Sequence, residues 1–119
     1  MTYSTTLNLE TYSCQLMFII TDQLKKEKNK ISKKHTLELI DDGEDEGVFI
    51  LTDMTKYYLL IDIKYLSHNT IAHEIYHSVV GITEDRGVTD EEAQSWLCGH
   101  ITGKIYKFIE KKNLQVKHG

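Results

Sequence analysis

Proline is missing from all 119 residues, and cysteine occurs only twice. With no proline to break or kink the chain, the glycines at 43, 47, 81, 87, 99 and 103 supply the punctuation. Cys14 and Cys98 stand far apart and belong to no CxxC spacing, which fits a reducing compartment where thiols stay free. Long apolar runs are also missing: the longest, Leu16 to Ile20, is five residues where a membrane span needs about 20. The first ten residues lack the basic-then-apolar profile of a secretory signal. These absences make a cytoplasmic protein with no membrane partner the expectation. Positive charge is scarce too, with 14 Lys and Arg against 18 Asp and Glu and a net charge of −4. Such a surface repels phosphate backbones, so no nucleic-acid partner is expected without a local basic patch. Repeats and low-complexity linkers are absent.

What remains is the composition of an ordinary globule, 40% hydrophobic and 27% charged. The length suits a single domain over residues 1–119 that buries roughly two-thirds of its unfolded surface. A chain of this size folds without disulfide or metal staples, so a metal here would serve chemistry or local order.

The first half reads as strands. Thr5 to Thr21 is rich in Leu, Ile, Phe, Tyr and Thr and predicts one or two, the second near Cys14 to Ile20. Residues 22–34 are lysine-heavy with few apolar anchors, predicting a short exposed helix or a loop. Their six lysines carry no interleaved aromatics and read as a solvated face. Thr36 to Ile40 is a candidate strand and residues 41–47 an acidic turn. Val48 to Thr52 and Tyr57 to Ile63 suit a hairpin, with the second run a candidate sheet edge for an extended peptide. Beyond Tyr65 the pattern turns helical. Ser67 or Asn69 can cap a helix to about Ile82, and Thr89, with Glu92 in a capping box, a second to about Lys111. The fold class is therefore α+β: a small antiparallel or mixed sheet in the N-terminal half followed by two packed helices.

The first of those helices contains His73-Glu74-Ile75-Tyr76-His77, an HExxH motif. At about 100° per residue, His77 falls roughly 40° from His73 and one turn on, so both imidazoles reach a common point. Glu74 lies about 100° away, positioned as a base toward water rather than as a ligand. Neutral imidazoles suit Zn2+. Composition alone yields the pattern about 0.025 times in such a chain. Ile71, Ala72, Ile75, Tyr76, Val79, Val80 and Ile82 make the helix apolar on nearly every other side, so a buried helix is expected, in which a metal would satisfy the three polar residues. The bland alternative is a pair of core histidines bonded to backbone and a Glu in a structural ion pair.

Zinc needs a third protein ligand. The metzincin extension is absent, because Gly81 falls one residue late and position 83 is Thr. Three carboxylates crowd the next turn, Asp90, Glu91 and Glu92. On the stripe formed by Ala93, Trp96, Leu97, Ile101, Ile105 and Phe108, Asp90 lies nearest the centre and Glu92 on the flank. All three also suit a helix N-terminus without any metal.

The segment from Ile71 to Tyr106 resembles the small zincin-like zinc metallopeptidases encoded by phages and mobile elements. In these, HExxH is followed by a short loop and a helix opening with Glu-Ala-x-x-(Tyr/Trp)-Leu-x-Gly. Glu92, Ala93, Trp96, Leu97 and Gly99 match; His100 departs, since an aromatic is common there, and reads as a core histidine. The resemblance covers about a third of the chain. It implies a minimal zincin-like fold, Glu92 as third ligand beside His73 and His77, Glu74 as catalytic base, and a protein or peptide substrate, in the host cytoplasm if the gene is phage-borne. Tyr76, Tyr106, His68 and His100 are candidate oxyanion donors, and Cys98 reads as structural. The competing functions are a non-catalytic zincin-fold binding protein with a structural zinc, and a cell-wall peptide hydrolase, which the missing export signal disfavours.

Overall fold

A computed structural model describes residues 1–38, 46–52 and 55–119. In order, the chain forms β1 (Thr2–Leu9), β2 (Cys14–Thr21), α1 (Leu24–His35), β3 (Gly47–Leu51), β4 (Lys56–Asp62), α2 (His68–Asp85) and α3 (Glu91–Lys111), with 3-10 turns at Glu10–Tyr12 and Ile63–Tyr65. The architecture is α+β, with a mixed four-stranded sheet in the order β1-β2-β4-β3. β1 pairs with β2 and β3 with β4 antiparallel, while β2 and β4 run parallel from Gln15↔Lys56 to Thr21↔Asp62.

Alternation along the strands assigns their faces. Leu7, Leu16, Phe18, Ile20, Tyr57, Leu59 and Ile61 form one face, on which α2 and α3 pack through Ile71, Ile75, Ile82, Leu97, Ile101 and Ile105. Met17, Ile19, Ile50, Tyr58 and Leu60 form the other, against Leu24 and Ile31 of α1. β2 and β4 are apolar on both faces because both faces are covered. α1 is thus more than an exposed segment: the i, i+4, i+7 spacing of Leu24, Lys28 and Ile31 buries one stripe of an otherwise lysine-rich helix.

The hairpin of β3 and β4 forms as expected, with Leu51↔Tyr57 and Gly47↔Ile61 in register. β4 is not a sheet edge, however. Its parallel pairing with β2 places it inside, and β3 and β1 are the outer strands. Thr36 closes α1 in a left-handed conformation (φ 53°) rather than opening a strand. Leu37 and Glu38, which follow it, are in no strand either; residues 39 and 40 of that candidate strand, and most of the acidic turn, lie outside the described residues. Ser67 caps α2 by accepting from the Thr70 N–H at 3.1 Å. Asp90, not Thr89, caps α3 by accepting from the Glu92 N–H at 3.1 Å. Cys14 is buried and Cys98 exposed, and both are free thiols. Among the described residues no helix is long and apolar enough to cross a membrane.

The C-terminal end of α2 is latched to the sheet through Tyr57. Its fully buried hydroxyl donates to Asp85 Oδ2 at 2.5 Å and accepts from Arg86 Nε at 3.0 Å. Burial, helped by the Asp85 carboxylate, pushes the phenol up to about 12. The neutral phenol is therefore favoured by folding: its contribution is complete below the ordinary value near 10 and is lost as pH rises toward 12. Tyr57→Phe should cost about 1–2 kcal/mol at pH 7. It should also remove about 2 kcal/mol of the stability loss between pH 10 and 12, read by urea titration at each pH. Identical alkaline slopes in the two proteins would refute the latch.

Candidate metal centre

α2 lies over β3 and β4, and its rotation decides what the HExxH residues face. Thr70, Ile71, Glu74, Ile75, Ser78, Val79, Ile82 and Thr83 form its buried side. Ala72, His73, Tyr76 and His77 point away from the core. The helix is therefore not buried all round as its apolar composition suggested, because sheet and α3 cover only part of its circumference. Of the three motif residues only Glu74 is buried, at 5% exposure.

Two glycines set how closely α2 approaches β3. A Cβ on Gly47 would lie 2.8 Å from Glu74 Cγ and 3.0 Å from the Leu60 carbonyl oxygen. A Cβ on Gly81 would lie 2.3 Å from the Phe49 ring. Neither distance is tolerable, so glycine at 47 and 81 works here as a spacer as well as punctuation. The approach brings the Glu74 side chain against the β3 backbone, and His73 and His77 stand just outside it.

The two imidazoles have ring centroids 4.4 Å apart at 62°. Glu74 Oε1 lies 3.5 Å from His77 Nδ1. One ligand atom from each of His73, Glu74 and His77 falls within 4.8 Å of the others. Ligands sharing one zinc at 2.0–2.2 Å sit about 3.4 Å apart, so small side-chain rotations bring this set onto a common ion. The donor set, two imidazole nitrogens and a carboxylate, is one that zinc accepts.

The cleft over this cluster has a volume of about 720 Å³, with Glu46, Gly47, Val48 and Phe49 on the β3 side and Asn69 and Thr70 on α2 beside the motif. The Thr70 hydroxyl donates to Glu46 Oε2 at 3.4 Å. Glu46 was missed in the sequence, where it falls within an acidic turn with no motif of its own. Glu92 is exposed in the first turn of α3, and neither it nor Asp90 or Glu91 joins the cluster. Two features separate them. α2 continues eight residues past His77, to Asp85, a rise of about 12 Å. In addition α3 packs on the opposite flank of α2, where His68 Nδ1 meets the Tyr106 hydroxyl at 2.8 Å, whereas the imidazoles border β3.

No family model, curated protein or solved structure matches this chain. The site therefore stands on its own geometry. Among the proposed oxyanion donors, His68 and Tyr106 bond each other, His100 is half-buried against Trp96 rather than in the core, Tyr76 is 67% exposed, and none lines the cleft. Gly47→Ala must displace the Glu74 side chain or the strand beneath it. It should destabilise the fold by about 1–3 kcal/mol in thermal and urea unfolding, where a surface Gly99→Ala, whose Cβ meets nothing within 4 Å, should not. Equal stability of the two variants would show that the α2–β3 approach is not tight.

Proposed function

We propose that the protein is a zinc-dependent metallopeptidase hydrolysing peptide bonds with an activated water. The observation that carries this reading is the convergence of His73 and His77 beside the buried Glu74 carboxylate in an open cleft. His73 and His77 would hold the ion as neutral imidazoles. Bound zinc would supply Lewis acidity, making water easier to ionise and a carbonyl easier to attack near neutral pH. Glu74, confined between Gly47 and His77, takes the proton of the attacking water and returns it to the leaving amine. The outer edge of β3, which pairs with no other strand among the described residues, runs along the cleft, and an extended peptide that adds to it lies across the imidazole pair. Peptide recognition at a sheet edge thus falls to β3 in place of β4.

For the third ligand, the resemblance supports Glu92, while Glu46 shares the cleft with the histidines. Elemental analysis separates them. Loss of His73 should abolish stoichiometric zinc, and of Glu46→Ala and Glu92→Ala only the variant lacking the true ligand should fall by about 10- to 100-fold in zinc affinity. Wild-type protein that retains no zinc under gentle purification removes the metal reading altogether.

With Glu74 reserved as the base, no further ligand converges on His73 and His77 among the described residues, which favours a second reading, a non-catalytic scaffold in which zinc on His73, His77 and Glu74 orders a binding surface. Glu74→Gln distinguishes the two. In the peptidase it preserves zinc and lowers hydrolysis of denatured casein by about 10²- to 10⁴-fold. Undiminished hydrolysis in that variant would exclude Glu74 as the base.

A further inference from the structure

The other outer strand of the sheet, β1, borders a second trough of about 630 Å³, whose far wall is α3. The buried stripe of α3, Leu97, Ile101, Ile105, Phe108 and Ile109, fixes the rotation of that helix. As a consequence Trp96, His100, Lys104, Lys107 and Lys111 stand over the trough. Trp96 is 57% exposed and lies flat on His100, with centroids 5.2 Å apart and the rings 7° from parallel. Among the described residues no ion pair engages the three lysines, and Glu10 is the one acidic side chain in the lining. A chain of net charge −4 therefore carries a locally positive trough beside a strand edge that pairs with nothing among the described residues.

We propose that this trough docks an extended acidic peptide segment, which adds to the free edge of β1 while its carboxylates meet Lys104, Lys107 and Lys111 and an apolar side chain rests on Trp96. Three features select this partner. The outward N–H and C=O groups of an edge strand repeat at the spacing of another strand and complement a peptide backbone. The lysines, at i, i+3 and i+7, line one wall as a row of cations that suits alternate acidic side chains. The exposed tryptophan is the kind of rigid aromatic that anchors interfaces. The strand wall, Thr5–Leu9, spans about 16 Å and the helix wall from Trp96 to Lys111 about 22 Å, room for a segment of roughly five to seven residues. A single-stranded nucleic acid would also find cations and a stacking ring, but it has no use for the strand edge, and the chain's net charge opposes a long polyanion. This site is separate from the β3 cleft and does not rest on the metal reading.

Trp96 is the protein's only tryptophan, so its fluorescence reports the site directly. The full chain is titrated with the hexapeptide Val-Glu-Val-Glu-Val-Glu, with the same peptide N-methylated on the three valines or on the three glutamates, with Val-Lys-Val-Lys-Val-Lys, and with the oligonucleotide dT6. The acidic peptide should change Trp96 emission saturably. Methylation of one set of residues, whichever faces β1, should weaken it at least about tenfold, and methylation of the other should not. Lys104→Gln/Lys107→Gln/Lys111→Gln should weaken it by at least about tenfold with unaltered melting, and the lysine peptide should not bind. The proposal is overturned if the unmethylated acidic peptide fails to bind, if both methylated peptides bind as it does, if the triple variant binds normally, or if dT6 binds as tightly.

Discussion

Everything at the candidate metal centre depends on how closely α2 sits against β3. A carboxylate as buried as Glu74 loses much of its hydration, a cost of several kcal/mol unless neighbours compensate. It is held at that depth because Gly47 leaves room for the Glu74 side chain, and Gly81 for the Phe49 ring, between helix and strand. The same rotation of α2 leaves His73 and His77 accessible to water, about 100° and 60° around the helix from Glu74. Turning the helix by one residue would drive an imidazole into the sheet or bring the carboxylate out to solvent. The separation of a buried carboxylate from exposed imidazoles is thus a property of the packing as much as of the motif.

Features set by neighbouring residues were legible in the sequence. The strand near Cys14 to Ile20, the β3–β4 hairpin, the Ser67 cap and the convergence of His73 and His77 all follow from composition or spacing over a few residues. Features that depend on which element lands beside which were not. Tyr57 to Ile63 looks like any half-apolar strand, and only parallel pairing with β2 makes it interior. Trp96 fits the apolar stripe of α3 by periodicity, yet the stripe closes on Ile109 and leaves the indole outside. The lysines between 25 and 34 masked the buried stripe of α1, because three inward positions suffice when a short helix covers part of one sheet face.

The proposed acidic ligand shows the same division more sharply. HExxH is a statement about one helix and survives any packing of its surroundings. The identity of a third ligand is a statement about flanks. With α3 on one side of α2 and β3 on the other, a carboxylate that follows the motif in sequence and one that precedes it by 27 residues approach from opposite directions. Chain order carries no information about which flank the imidazoles border. That flank follows from where Gly47 and Gly81 allow the helix to settle.

The rotation of α3 has a comparable consequence at the other edge of the sheet. Burying Leu97, Ile101, Ile105 and Phe108 sends Lys104, Lys107 and Lys111 out along one line above β1. Like charges at i, i+3 and i, i+4 repel by about 0.2–0.5 kcal/mol per pair, and no ion pair among the described residues offsets that repulsion. Apart from Lys111, whose charge suits the C-terminal end of the helix dipole, the row adds little to the stability of the isolated chain. The two open edges of the sheet therefore differ in chemical character: β3 borders imidazoles and carboxylates suited to a cation, whereas β1 borders cations suited to an acidic strand. One small α+β frame, by fixing the rotation of its two long helices, presents both.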